Sequence, residues 1–130
     1  CTPSRGLGDV YKRQVGDGGA LMTGSELATA VAQRAKIRVI VANNNHYGTI
    51  RYHQEVHFPT RDHYATKLVN PDFAKYGESF GLKCFTIHNT EEILPTIKNA
   101  MKVDGPSLIE FKMSLELNTS TTTISQLQTN

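Results

Sequence analysis

Six consecutive residues, Ile37-Arg38-Val39-Ile40-Val41-Ala42, carry four β-branched side chains and stop abruptly at Asn43-Asn44-Asn45. An apolar run without polar alternation marks a strand buried on both faces. Such a strand needs helices above and below it, and the flanking sequence supplies them. Upstream, Thr23 as N-cap and Glu26 three residues on form a capping box, with Met22 and Leu27 as a hydrophobic staple. Leu27, Ala28, Val31, Ala32 and Ala35 then share one helical face. Downstream, Asn70-Pro71-Asp72 predicts a helix capped by Asn70, with Phe73, Tyr76, Gly77 and Phe80 facing inward and Gly81 ending it. Leu82–Ile87 reads as a strand. Thr90-Glu91-Glu92 opens a third helix with Ile93, Leu94, Ile97, Ala100 and Met101 on its apolar face, and Pro106–Met113 reads as a last strand. Strands alternating with helices predict an α/β fold: a doubly wound parallel sheet in a three-layer sandwich.

Charge and composition narrow the function classes. The net charge of +2 resides in residues 1–14, where Arg5, Lys12 and Arg13 face Asp9; residues 15–130 are balanced. That body has no basic stripe of the kind nucleic-acid binders carry. No run approaches the ~18 apolar residues of a membrane helix. Cys1 and Cys84 make no disulfide framework, which fits a cytoplasmic protein; Cys84, in a strand, reads as a small hydrophobe. Residues 1–14 show no periodicity, and GDVYKRQ resembles adapter-derived sequence, so a non-native leader is expected there, with native sequence from Val15 and more of the protein upstream. Residues 15–113 form the expected domain, and 114–130 a polar tail.

In doubly wound sheets, ligands bind beyond the carboxyl ends of the strands. Two segments have that address. Gly16-Asp17-Gly18-Gly19 reads as a loop whose backbone N–H groups suit a phosphate, yet Asp17 would repel one unless a cation lay between. Mg²⁺ takes oxygen ligands from one or two carboxylates plus phosphates. The second segment, Asn43–Gly48, supplies neutral oxygens such as the Asn44 amide and the His46 carbonyl. A dinucleotide-binding turn fits poorly: position 21 is Leu, and the second strand ends in Asn43 rather than an acidic residue.

Gly16-Asp17-Gly18, followed after residues 19–42 by Asn43-Asn44, resembles the cofactor motif of thiamine diphosphate enzymes. The stretches GDGGALMTGSELATAV, IRVIVANNNHYGTIRYHQE, NPDFAKYGESFG and GPSLIEFK resemble the C-terminal cofactor-binding domain of acetolactate synthase-like members. The resemblance implies Asp17, the Asn44 side chain and the His46 carbonyl as Mg²⁺ ligands. It implies Gly16, Gly18 and Gly19 at the diphosphate, and Tyr47, Gly48 and Thr49 along the cofactor's middle. It further implies a cofactor ylid attacking a 2-oxo acid, a lyase or transferase activity, and a homodimer or homotetramer when full-length. The activating glutamate of such enzymes belongs to an N-terminal domain outside this sequence, so no catalytic residue is assigned here, and the fragment alone is expected to be inactive. The alternative is a non-catalytic binding or regulatory module on the same fold.

Residues 46–69 are polar, rich in aromatics and histidine, and without clear period, as in a functional lid. His53 and His57 stand at i, i+4 without a third zinc ligand and read as solvated or substrate-facing. Arg51 and Arg61 are candidate partners of a substrate carboxylate.

Overall fold

The computed structural model describes residues 11–58, 62–116 and 123. The expectations for residues 1–10, for Arg61 and for the tail at 117–122 and 124–130 lie outside the described residues. Strands β1 (Tyr11–Gly16), β2 (Ile37–Asn43), β3 (Lys83–Ile87) and β4 (Ser107–Lys112) form one sheet in the order β1-β2-β4-β3. Every pairing is parallel. Helices α1 (Asp17–Thr23) and α2 (Leu27–Ala32) follow β1; α3 (Gly48–His57) and α4 (Phe73–Ser79) lie between β2 and β3; α5 (Ile93–Met101) leads into β4.

The unbroken apolar run of β2 is explained by its place between β1 and β4. Its odd-numbered residues Val39 and Val41 join Leu108 under Ala20, Leu27 and Phe73, from α1, α2 and α4. Its even-numbered Ile40 lies on the opposite face with Ile109, Phe85 and Phe111, where α5 contributes Ile93 and Ala100. Helices thus cover both faces, giving the expected three layers. Helix α4 packs closely on the sheet: a Cβ on Gly77 would lie 2.6 Å from Cys84 Sγ. Burial pushes the Cys84 thiol up to about 11, so it stays protonated and acts as a packing group.

Several local expectations are corrected. Residues 11–14 pair in register with β2, Tyr11 opposite Ile37 and Gly16 opposite Ala42. Lys12, Arg13 and Gln14 are exposed, so this strand is held by its backbone ladder and has no apolar pattern to reveal it. The Gly16–Gly19 segment is not a free loop: Asp17, Gly18 and Gly19 are the first residues of α1. The helix starts before Thr23, whose hydroxyl donates back to the Gly19 carbonyl (3.3 Å) instead of capping. Met22 is 71% exposed and makes no staple, and Ala28 and Ala32 face solvent. Within residues 46–69, α3 runs for ten residues with Glu55 its only buried one; a helix so polar leaves no apolar stripe to read. The α4 cap is Asp72, accepting from Lys75 N–H at 3.0 Å, not Asn70. Asn89 caps the turn before α5, on which Leu94 and Met101 are exposed.

Arg38 ties the opposite end of β2 to the loop after α5. It is 1% exposed, and its guanidinium donates to the carbonyls of Gly105 (2.5 Å), Val103 (2.6 Å) and Met101 (3.4 Å). These are orphan acceptors at and beyond a helix C-terminus, where a cation is favoured. Burial draws its pKa below the ordinary arginine value. Arg38→Met fills the space but strands those carbonyls, so it should cost about 2 kcal/mol. The expected result is a lower urea midpoint with an unchanged m-value.

Candidate functional site

Parallel register creates the site. Because Gly16 pairs with Ala42, the residues leaving the carboxyl ends of β1 and β2 emerge side by side. Asp17 leads into α1 and Asn43 begins the asparagine turn. Asp17 is 3% exposed. Its Oδ1 accepts from the Gly18 N–H at 2.9 Å, and its Oδ2 accepts from Asn70 Nδ2 at 2.7 Å. No Lys, Arg or His among the described residues pairs with it, so this is a buried carboxylate without a cation. Such a group is costly unless something neutralises it.

Asn43 is equally buried and wedged between elements. Its Nδ2 donates to Glu110 Oε1 at 2.6 Å, and its Oδ1 accepts from Asn45 N–H (3.1 Å) and Asn70 Nδ2 (2.8 Å). Glu110, on β4, also accepts from Lys112 Nζ at 2.6 Å. One hydrogen-bonded line therefore runs from Lys112 through Glu110, Asn43 and Asn70 to Asp17. The turn is tight: Asn45 has φ +58°, a left-handed conformation that asparagine tolerates. Asn44 Oδ1 accepts from His46 N–H at 3.0 Å. The segment is pinned from outside by Tyr47 N–H to the Thr66 carbonyl and Leu68 N–H to the Asn45 carbonyl, both 2.8 Å.

Gly16, Asp17, Gly18 and Gly19 line an open cleft of ≈ 170 Å³ together with His46, Tyr47, Gly48, Thr49 and Ile50. The structure thus gathers eight of the nine nominated residues on one cleft. Asn44 does not line it; its amide is turned to the His46 N–H. Gly18 must lack a side chain, since a Cβ there would run into the Tyr47 ring. Asn70, which reaches three oxygens of the site, was legible only as a helix cap. An asparagine before proline held in extended backbone was the available signal.

Helix α3 carries a separate charge cluster. Glu55 is buried; Arg51 Nε and Nη2 lie 2.8 and 2.7 Å from its Oε1, and His63 Nε2 lies 2.7 Å from the same oxygen. Arg51 is therefore engaged with Glu55 rather than extended toward a substrate. His53 and His57 stack with parallel rings 5.9 Å apart on the exposed side. No helix among the described residues is long and apolar enough to cross a membrane.

Residues 13–111 match the family model for the thiamine pyrophosphate enzyme C-terminal TPP binding domain. The chain is 36% identical over 101 residues to YdaP of Bacillus subtilis, described as thiamine pyrophosphate-containing, covering 78% of this chain and 17% of that protein. It is 31% identical over 100 residues to the acetolactate synthase large subunit of Porphyra purpurea, covering 76% of this chain and 17% of the relative. It is 36% identical over 107 residues to the 3D-(3,5/4)-trihydroxycyclohexane-1,2-dione hydrolase of Bacillus subtilis, covering 76% of this chain and 16% of the relative. The chain spans about a sixth of the length of these relatives. A match over most of the chain, on a fold and cleft of this form, places it in the thiamine pyrophosphate enzyme family, to whose C-terminal cofactor-binding domain it belongs.

Proposed function

We propose that this domain holds thiamine diphosphate through Mg²⁺, as part of a longer enzyme that decarboxylates a 2-oxo acid and passes the product to an acceptor, as an acetolactate synthase-like lyase or transferase. The observation that carries this reading is the buried Asp17 carboxylate without a cationic partner, at the edge of a glycine-walled cleft. The Asp17 carboxylate and the His46 carbonyl, both on cleft-lining residues, are oxygen donors that suit a hard divalent cation; the Asn44 amide oxygen, which accepts from His46 N–H, would turn toward the cleft to join them. Gly18 and Gly19 have no side chain to obstruct a diphosphate, which their backbone N–H groups would meet, that of Gly18 in exchange for its hydrogen bond to Asp17 Oδ1. Tyr47, Gly48 and Thr49 would hold the cofactor's middle. When bound, the cofactor supplies the carbonyl chemistry, and this chain contributes binding and orientation. The pyrimidine-activating glutamate would come from the upstream domain, in a homodimer or homotetramer of a cytoplasmic enzyme.

Higher identity to the dione hydrolase than to the synthase supports a second reading, hydrolysis of a dione, on the same cofactor site. Assaying the complete protein against 2-oxo acids and cyclic diones separates the two. A non-catalytic module would turn over neither.

Asp17→Ala in the complete protein should weaken Mg²⁺-dependent thiamine diphosphate binding by more than the roughly 100-fold that loss of a supporting group can cost. Calorimetric titration at fixed Mg²⁺ measures it, and retained affinity would refute the metal assignment. Gly18→Ala should displace Tyr47 and lower cofactor affinity while destabilising the fold by about 1–3 kcal/mol, read from the same titration and from thermal unfolding. The isolated 130-residue chain should release no CO₂ from any 2-oxo acid.

A further inference from the structure

The Asn70 amide nitrogen has three acceptors within reach: Asp17 Oδ2 at 2.7 Å, Asn43 Oδ1 at 2.8 Å and Asn45 Oδ1 at 3.2 Å. Its own Oδ1 is buried without a donor. An amide that optimised its own bonding would not leave that oxygen orphaned, a loss of about 1–3 kcal/mol. The orientation is imposed by the neighbours. Asn43 cannot turn, because Glu110 takes its Nδ2 and Asn45 N–H takes its Oδ1. Flipping Asn70 would set its oxygen against three others. The donor therefore always faces Asp17.

From this we infer that Asn70 is a positioning residue for the Asp17 carboxylate: it holds Oδ2, so that Oδ1, which accepts a single hydrogen bond from the cleft-lining Gly18 N–H, keeps a lone pair turned to that side to meet the cation. The assignment rests on the Mg²⁺ site proposed above and adds a residue from a third segment to it. Asn70 comes from the loop before α4, so α4's docking on the sheet through Phe73 and Gly77 sets where the amide sits. Asn70 is itself a neutral donor, which fixes one carboxylate oxygen without neutralising the charge a divalent cation needs. A lysine in its place would pair with Asp17 and compete with the metal.

The test uses the complete protein and two titrations by calorimetry: Mg²⁺ half-saturation at fixed thiamine diphosphate, and thiamine diphosphate affinity at saturating Mg²⁺. In Asn70→Ala the Mg²⁺ half-saturation point should rise about tenfold, at the low end of what loss of a supporting hydrogen bond costs a metal site. Cofactor affinity at saturating Mg²⁺ should return to within a few-fold of wild type. Asn70→Ser, which keeps a donor, should recover part of the Mg²⁺ effect, and it carries the same test should the alanine variant not fold. Equal losses in both titrations, or a half-saturation point unmoved in a folded variant, would overturn the role of Asn70 alone. A wild-type protein that binds the cofactor without Mg²⁺ would overturn the metal reading itself, and this role with it.

Discussion

Parallel pairing of β2 with both neighbours governs everything else in this domain. Since all strands run the same way, their carboxyl ends lie on one edge, and the chain must leave that edge through turns whose backbone groups have no ladder partner. Gly16 opposite Ala42 fixes the stagger between the first two exits. A slip of one residue would exchange the faces of β1, moving Val15 off the α1 side, where it packs with Ala20 and Leu27. The same packing that buries the core therefore sets Asp17 beside Asn43.

The two ends of β2 solve opposite electrostatic problems. At its start, Arg38 is buried against carbonyls that need donors. At its end, Asn43 is buried among groups that need both donors and acceptors, and an amide offers both. The carboxylates flanking this end differ in kind. Glu110 has the Lys112 ammonium at 2.6 Å, whereas Asp17 has only amide donors. Both are almost completely buried, so the difference lies in partners and not in depth. Glu110 carries its counter-charge with it; Asp17 is held by hydrogen bonds alone, and on the proposed reading a bound cation would supply the charge it lacks.

Apolar patterning gave most strands and helices but overcounted the inward faces, where Met22, Ala28, Ala32, Leu94 and Met101 are exposed, and it failed where bonding is polar. The burial of β2 on both faces, the inward Phe73 and Gly77, and the parallel class were readable from spacing. β1 was not, because an edge strand with exposed Lys12, Arg13 and Gln14 is specified by its neighbour's backbone. α3 was not, because its single buried residue is a glutamate held by Arg51 and His63. The start of α1 was misplaced because Gly, Asp and Gly are turn formers, and their helical conformation here is set by the strand exit. Asp17 and the glycines of the cleft were legible through motif spacing; Asn70 was not, because its three bonds span separations of 25 to 53 residues.

That last separation bears on how such a site holds together. Asp17 belongs to α1, Asn43 to β2, Glu110 to β4, and Asn70 to the approach to α4. None of these segments is fixed in place by its local sequence alone. Each is fixed instead by a core contact one to three residues away: Val15 and Ala20 near Asp17, Val41 near Asn43, Ile109 beside Glu110, Phe73 after Asn70. Val41 and Asn43 stand two apart on β2, as do Leu108 and Glu110 on β4, so the pleat sends them to one face of the sheet and the site continues the core at its carboxyl edge. The accuracy of the site is thus borrowed from the close packing of the interior, where even one methylene is felt. A substitution under the sheet, far from any ligand, would reach Asp17 by this route.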